Sequence, residues 1–497
     1  MTKPHLGPPG RSPGTPTSLP WLVLVLAGIW LSSTPAGLIG ASLFGALVGV
    51  RRRSFSLGFV ATYGVMETAV HVWASPYSGF ASRATVWPVL MSVTIIAILW
   101  EALAHSPASR VPASLHEPPR LLPGSLRFRT YVIAAAVGLA ANALRFSTGV
   151  PLLAENIDAS RQDARANASL IVGLAQEAWT VGLLVAAAHV LVARTGRRVD
   201  LAFLIFFAAG AFAGGSRNSL LIGVVPALIA AVAMRGAEKA PRPNGAVRPH
   251  ARPRVLAAGV MGGALVVASF YFAGVRTLAG RGQFETAFRS MHGDSPWSAA
   301  VGAMDLALSA PLETWSRIYA QGADAFGPTQ FATAAWLGRA LEAAGFHPDM
   351  NAIAASASSP YYMNATTLAG PPFVDFGIGG VVIMAIVLGV AIGTVDRKLA
   401  TKRDVTSHVL RGYAIYVAFL SLYSFVPYTS PAWIVVTLAL LALRRWARRH
   451  APATIGGDPG GSGRGRSRPG TQAPALLPKH DANGSKNLAP DPRGQHP

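Results

Sequence analysis

Five arginines and two acids are the residues in this chain best placed for chemistry. Arg145 stands just before the segment GVPLLAENIDASRQDAR, which contains Arg161; Arg217 sits in AGGSRNS, and Arg276 and Arg281 sit in GVRTLAGR. All of them border long apolar runs. A guanidinium presents five donors in a fixed fork that matches phosphate oxygens two at a time. Several converging from separate helix ends would make a diphosphate site at the level of lipid head groups. A single arginine is as well explained by snorkelling to head groups or by a local ion pair. Arg217 leads the set, because Gly214, Gly215 and Ser216 let backbone donors approach a ligand beside it. The first acid, Asp375, follows Tyr361, Tyr362, Asn364, Thr366, Thr367 and the pair Pro371–Pro372, and a Gly-punctuated apolar run begins at once behind it. An acid there suits chemistry on a large polar substrate at one face of a membrane, and it equally suits the capping of free helix amides. The second, Glu177, lies inside an apolar run with Gln176 beside it, either as a proton-transfer group or as the partner of an arginine.

Ionisable groups within apolar runs cost roughly 3 kcal/mol each to insert, so each one needs a reason. Glu67 and His71 stand four apart and share a helical face, which reads as a buried hydrogen-bonded pair. Two ligands without a third are too few for a metal, and no metal or other cofactor is expected. The sequons at Asn167 and Asn364 are short matches of the kind that arise by chance and carry little weight.

The elements that must hold these residues are membrane helices. Residues are 51% apolar and only 13% charged, and apolar runs recur, each near the length a helix needs to cross about 30 Å of hydrocarbon. The runs are continuous and not alternating, which disfavours a barrel. The expected fold is therefore an all-α integral membrane protein with about twelve spans, at 19–34, 36–50, 55–73, 85–104, 130–149, 168–192, 199–213, 218–234, 255–274, 373–395, 407–425 and 431–445. The absence of cysteine excludes disulfides and thiolate metal sites. A formal net charge of +21 would suggest nucleic acid in a soluble protein. Here the cations cluster between every second pair of runs, at 51–53, 110–129, 194–198, 235–254, 397–403 and 444–449, and no cluster carries interleaved aromatics. That is the positive-inside pattern of a multi-pass protein with both termini in the cytoplasm, and no nucleic-acid partner is expected.

Five regions follow. Residues 1–18 form a retained cytoplasmic tail rather than a cleaved leader, and 19–274 hold spans one to nine. Residues 275–372 make one large extracytoplasmic loop, 373–445 hold the last three spans, and 446–497 form a Gly-, Pro- and Arg-rich tail expected to be disordered. The loop contains five Arg, seven acids and two His. Its segments SPWSAAVGAMDLALSAPLETWSRIYA and TQFATAAWLGRALEAAG have helical apolar spacing, so it should be partly helical and fold against the membrane surface as a lid or binding element.

In their order and placement these elements resemble the bacterial oligosaccharide repeat-unit polymerases, the Wzy-type O-antigen and capsule polymerase family. GVPLLAENIDASRQDAR resembles that family's G-[IV]-P-L-L segment with a following Arg. FAAGAFAGGSRNSLLIGVVPALIA resembles its G-S-R turn between two spans. YYMNATTLAGPPFVDFGIGGVVIMAIVLGVAIG resembles its D-F-G-x-x-G re-entry helix. The likeness covers about residues 130 to 395. It implies a metal-independent glycosyltransferase of the bacterial cytoplasmic membrane, with its active site facing outward. Undecaprenyl-diphosphate-linked oligosaccharide would be donor and acceptor, and flippase and chain-length regulator proteins would be partners. Arg217, Arg276 and Arg161, supported by Arg145 and Arg281, would bind diphosphate. Asp375, with Glu177 behind it, would act as general base or position the acceptor. Tyr361, Tyr362, Asn364 and Trp315 would contact sugar.

Three other readings stand beside this one: an O-antigen ligase-like transferase, a polysaccharide or lipid transporter with Glu67 and Glu177 as coupling groups, and a scaffold for envelope assembly. Against transport, no internal repeat is visible in the chain.

Overall fold

The apolar runs become helices. The computed structural model describes residues 18–72, 81–104, 120–147, 149–154, 169–192, 197–213, 217–237, 267–275, 283–323, 365–402, 404–425 and 432–449, with isolated positions between them. Its principal helices are α1 (Leu19–Leu31), α2 (Pro35–Arg52), α3 (Phe55–Val72), α4 (Arg83–Ala104), α5 (Gly124–Arg145), α6 (Leu170–Val192), α7 (Arg197–Ala213), α8 (Arg217–Ala237), α9 (Gln283–His292), α10 (Pro296–Gln321), α11 (Gly370–Ala400), α12 (Val405–Ser421) and α13 (Ala432–Arg449). Among the described residues there is no strand, only the isolated bridges Arg120 to Asp404 and Thr367 to Ser424. Three stretches, Arg83–Ala104, Ile171–Val192 and Gly370–Ala400, are long and apolar enough to cross a membrane.

Local chemistry sets several boundaries. The hydroxyl of Thr34 accepts from Gly37 N ahead of Pro35, and Ser295 accepts from Ser298 N ahead of Pro296. Both are N-caps followed by a proline whose missing donor is not needed in the first turn. Asp404 opens α12 in the same way, accepting from Ser407 N at 2.7 Å. At its far end α13 runs on to Arg449, past the boundary expected at 445. Trp446 packs against the core there, and the arginines of the last turn complement the helix dipole. Of the ninth expected run, 255–274, only 263 and 267–274 are described, and these are helical.

The helices pack into two clusters joined through α12. One gathers α1 to α4, α10 and α11 around Leu22, Phe59, Val93, Trp100, Trp315 and Ile392. The other gathers α5 to α8 and α13 around Tyr131, Leu183, Phe207, Val436 and Leu440. α12 serves both, turning Ile415, Ala418 and Leu422 to the first and Val409, Tyr413 and Val417 to the second. The pairing of α4 with α11 depends on Gly389 and Gly393. A Cβ at Gly389 would lie 3.0 Å from the Cα of Ile96, and one at Gly393 would lie 3.1 Å from the Cα of Trp100. Small residues four apart let two backbones approach where lipid supplies no hydrophobic drive.

α10, from the expected outer loop, is part of the packing rather than a cover over it. Leu312, Trp315 and Ile318 are buried in the first cluster with the residues of α3, α4 and α11.

Candidate functional site

The end of the bundle where α3 finishes and α4 and α11 begin concentrates buried polar groups. Glu67 on α3 has no exposed surface. Its partner is Arg83, the first residue of α4, whose Nη1 lies 3.1 Å from Glu67 Oε1. Nη2 of the same guanidinium donates to the carbonyls of Ile29, at 2.8 Å, and Ser32. Arg83 therefore closes the end of α1, where carbonyls have no intrahelical partner, and neutralises a buried carboxylate at the same time. The expected Glu67–His71 pair is corrected by this contact: His71 is exposed, and the charge of Glu67 is met from another helix.

α10 supplies the next layer. The carboxylate of Glu313, 1% exposed, accepts from Ala81 N at 3.2 Å and Gly79 N at 3.4 Å, fixing the chain that leads into α4. Thr85 Oγ1 donates to Ser316 Oγ at 2.9 Å, and Trp315 Nε1 donates to the Thr85 carbonyl at 2.7 Å. The Trp315 ring stacks on Tyr319 with centroids 5.4 Å apart and meets the edge of Phe373 at 5.2 Å. With its ring enclosed and its N–H engaged, Trp315 presents no face for a sugar. It instead clamps the start of α11.

That start is where Asp375 lies. Two backbone positions around it are in the left-handed half of conformational space. Thr367 has φ 58°, a genuine outlier for a β-branched residue. It is held by Thr367 N donating to the Tyr423 carbonyl at 3.2 Å, while its hydroxyl accepts from Ala369 N at 3.3 Å. Gly377 has φ 62° and ψ −155°, a region open essentially to glycine alone, and breaks α11 into a short first segment and a long second one. Asp375 is the last residue but one before that break, 6% exposed, in a helix that begins at Gly370. It does not cap the first turn of α11; it stands at the kink. Strain of this kind persists only where the surroundings over-determine it, and it clusters at functional sites.

A second group lies in the other cluster. Arg145, the last residue of α5, donates through Nη1 to Gln176 Oε1, and Gln176 Nε2 donates to Asn142 Oδ1 at 2.8 Å. Glu177 is next in the chain, bonded through its side chain to Thr180 and within electrostatic range of Arg145 and of Tyr413 on α12. The arrangement thus brings Arg145 and Glu177 together, as an arginine partner for a mid-helix acid. Asp375 lies on α11 beside Phe373 and Val374, which belong to the first cluster.

Of Arg217 only the backbone is described, as the first residue of α8. Arg161, Arg276, Arg281, Tyr361, Tyr362 and Asn364 lie outside the described residues. Among the described residues no three His, Asp or Glu side chains gather as metal ligands. Sequence reasoning passed over Arg83 and Glu313. Arg83 carries the signal applied to the other arginines, a cation at the Lys-free end of an apolar run. Glu313 had no such signal, since burial of α10 depends on packing between distant segments.

Three further buried acids have partners at the other ends of these helices. Glu101 accepts from Ser54 Oγ at 2.9 Å and from Ser56 Oγ. Asp396 accepts from Trp100 Nε1 at 2.8 Å and Arg411 Nε at 2.5 Å, and Asp200 accepts from Tyr131 Oη at 2.9 Å beside Arg127.

Comparison with protein-family models, with curated proteins and with solved structures finds no match.

Proposed function

We propose that this chain is a membrane glycosyltransferase that polymerises lipid-linked oligosaccharide repeat units, as its sequence likeness to the repeat-unit polymerases implies. In this reading the chain crosses the bacterial cytoplasmic membrane twelve times with both termini inside, and the Asp375 junction faces outward. The observation that supports it is that junction: a buried acid two residues before a glycine-only kink, with a strained threonine ahead of the helix. Neither departure from regular helix is needed merely to cross a bilayer.

The chemistry is a displacement at the anomeric carbon of the growing chain. A hydroxyl of the incoming lipid-linked repeat forms the new C–O bond, the bond to the lipid diphosphate breaks, and the hydroxyl proton passes to Asp375. Charge growing on the departing diphosphate is stabilised by guanidinium groups, Arg217 first, with Arg161, Arg276 and Arg281 in support. Arg145 is assigned to Glu177, which makes that pair a stabiliser of the helix bundle in this account. Tyr361, Tyr362 and Asn364 line the approach of the sugars, without Trp315.

The test is genetic. In cells lacking the native gene, Asp375→Asn and Arg217→Ala should leave single repeat units on the surface glycan while the wild-type copy restores long chains. Polymer of normal length and amount from both variants, at normal protein level, would remove the site assignment.

A further inference from the structure

A groove of about 1040 Å³ runs between α11, α12 and α13. This is the upper end of the range for small-molecule sites. On α11 the lining extends from Met384 to Leu399. At 1.5 Å per residue that is about 23 Å, most of the thickness of the hydrocarbon layer. The wall is apolar, with Leu388, Ile392, Val417 and Leu441 among its residues, and Val387 is more than half exposed along it.

The two ends differ. Four cations, Arg397, Lys398, Lys402 and Arg444, line one end, and the lining contains no acid. Of the nearby acids, Asp396 accepts from Trp100 and Arg411, and Asp404, which also attracts Arg444, caps α12 through Ser407 and lies 3.8 Å from Arg448. At the other end the Trp433 indole donates to the Pro427 carbonyl at 2.9 Å, the amphipathic anchor expected at a membrane–water boundary. Cations at one end, an indole at the other and an apolar wall covering most of the hydrocarbon thickness between them match a lipid whose head group is anionic.

We propose that this groove is a binding site for an anionic glycerophospholipid, its phosphate held by Arg397, Lys398, Lys402 and Arg444 and its acyl chains lying along α11 and α12. Basic pockets between membrane helices on the cytoplasmic side recognise anionic head groups in this way. The inference rests on α11 crossing the membrane and not on the transferase reading, so a chain with no polymerase activity would still bind the lipid.

The test uses the full chain, extracted in mild detergent and exposed to phosphatidylglycerol and phosphatidylcholine of matched acyl chains, with bound lipid read by native mass spectrometry. At roughly 1 kcal/mol per cation, phosphatidylglycerol should be retained more than about tenfold better. The preference should vanish in the combined Arg397→Gln, Lys398→Gln, Lys402→Gln and Arg444→Gln variant. Ala391→Trp, which fills the groove, should lower retention of both lipids. Equal retention of the two lipids by the wild-type chain would overturn the proposal, as would an undiminished preference in the folded charge variant or undiminished retention of both lipids by Ala391→Trp. Should the charge variant fail to fold, the wild-type ratio and Ala391→Trp decide the matter.

Discussion

Arg83 carries two tasks with one side chain, and its loss should be felt by both. Arg83→Ala strands the carboxylate of Glu67, which has no exposed surface, and frees the carbonyls that end α1. Arg83 is itself 36% exposed, so the cost falls below the about 3–5 kcal/mol of a fully buried pair, and the thermal midpoint of the purified protein should still fall. Glu67→Gln in the same background removes the stranded charge and should recover part of the loss. An Arg83→Ala protein as stable as wild type would refute the pairing. Gly377 gives a cleaner backbone test. A Cβ there would meet nothing within 4 Å, so any effect of Gly377→Ala comes from its φ of 62° and ψ of −155°. The expected cost is about 1–3 kcal/mol, with a loss of polymer beyond what the stability change explains, because the kink aims Asp375. At this scale the sequence was uneven. It singled out Asp375 and Glu177 as acids in unusual places. It did not disclose Arg83 as the partner of Glu67, since the contact spans two helices, nor the φ of Thr367, which a tertiary hydrogen bond to Tyr423 imposes against the preference of a β-branched residue.

Among elements, the contact of α4 with α11 depends on two missing side chains. Gly389→Leu and Gly393→Leu each drive a branched side chain into the α4 backbone near Ile96 and Trp100. Overpacking of this sort costs about 1–3 kcal/mol, and should lower both the thermal midpoint and the yield of folded protein in membranes. Unchanged stability in both variants would mean that the helices are not held this close. The junction of α9 with α10 is pH-sensitive. The His292 ring lies over Gly302, where a Cβ would come within 2.5 Å of it. Burial pushes its pKa below the usual value, with Asp305 opposing. A depressed imidazolium pKa means that the undocked segment takes up the proton first as pH falls through about 6.5. Docking is therefore fully stable above that pH and weakens below it. Hydrogen exchange of residues 283–292 should speed up on acidification, and His292→Phe should flatten the response. Protection independent of pH in the wild-type chain would contradict this. Helix positions were legible from apolar runs because continuous hydrophobicity and helix length coincide in membrane proteins. The burial of α10 was not, because its spacing fits a surface helix as well as one packed between α3 and α11.

The described helices form two clusters that share α12, with the strained junction near the start of α11 and the cation-rimmed groove along its second half. The expected alternation of the apolar runs rests on the charge pattern alone, since cations collect on every second connection. The division into clusters was not readable, because it depends on which helices meet, and pairing across 296 residues, as between Trp100 and Asp396, leaves no local trace. The central claim is that the Asp375 end of this bundle joins lipid-linked repeats. It is tested most directly by incubating the purified chain in lipid with a single chemically defined undecaprenyl-diphosphate-linked repeat unit and resolving the products by size. The account predicts a ladder of two, three and more repeats with the wild-type chain, and none with Asp375→Asn. A single transferred product, no product from a folded wild-type chain, or a full ladder from Asp375→Asn would contradict it.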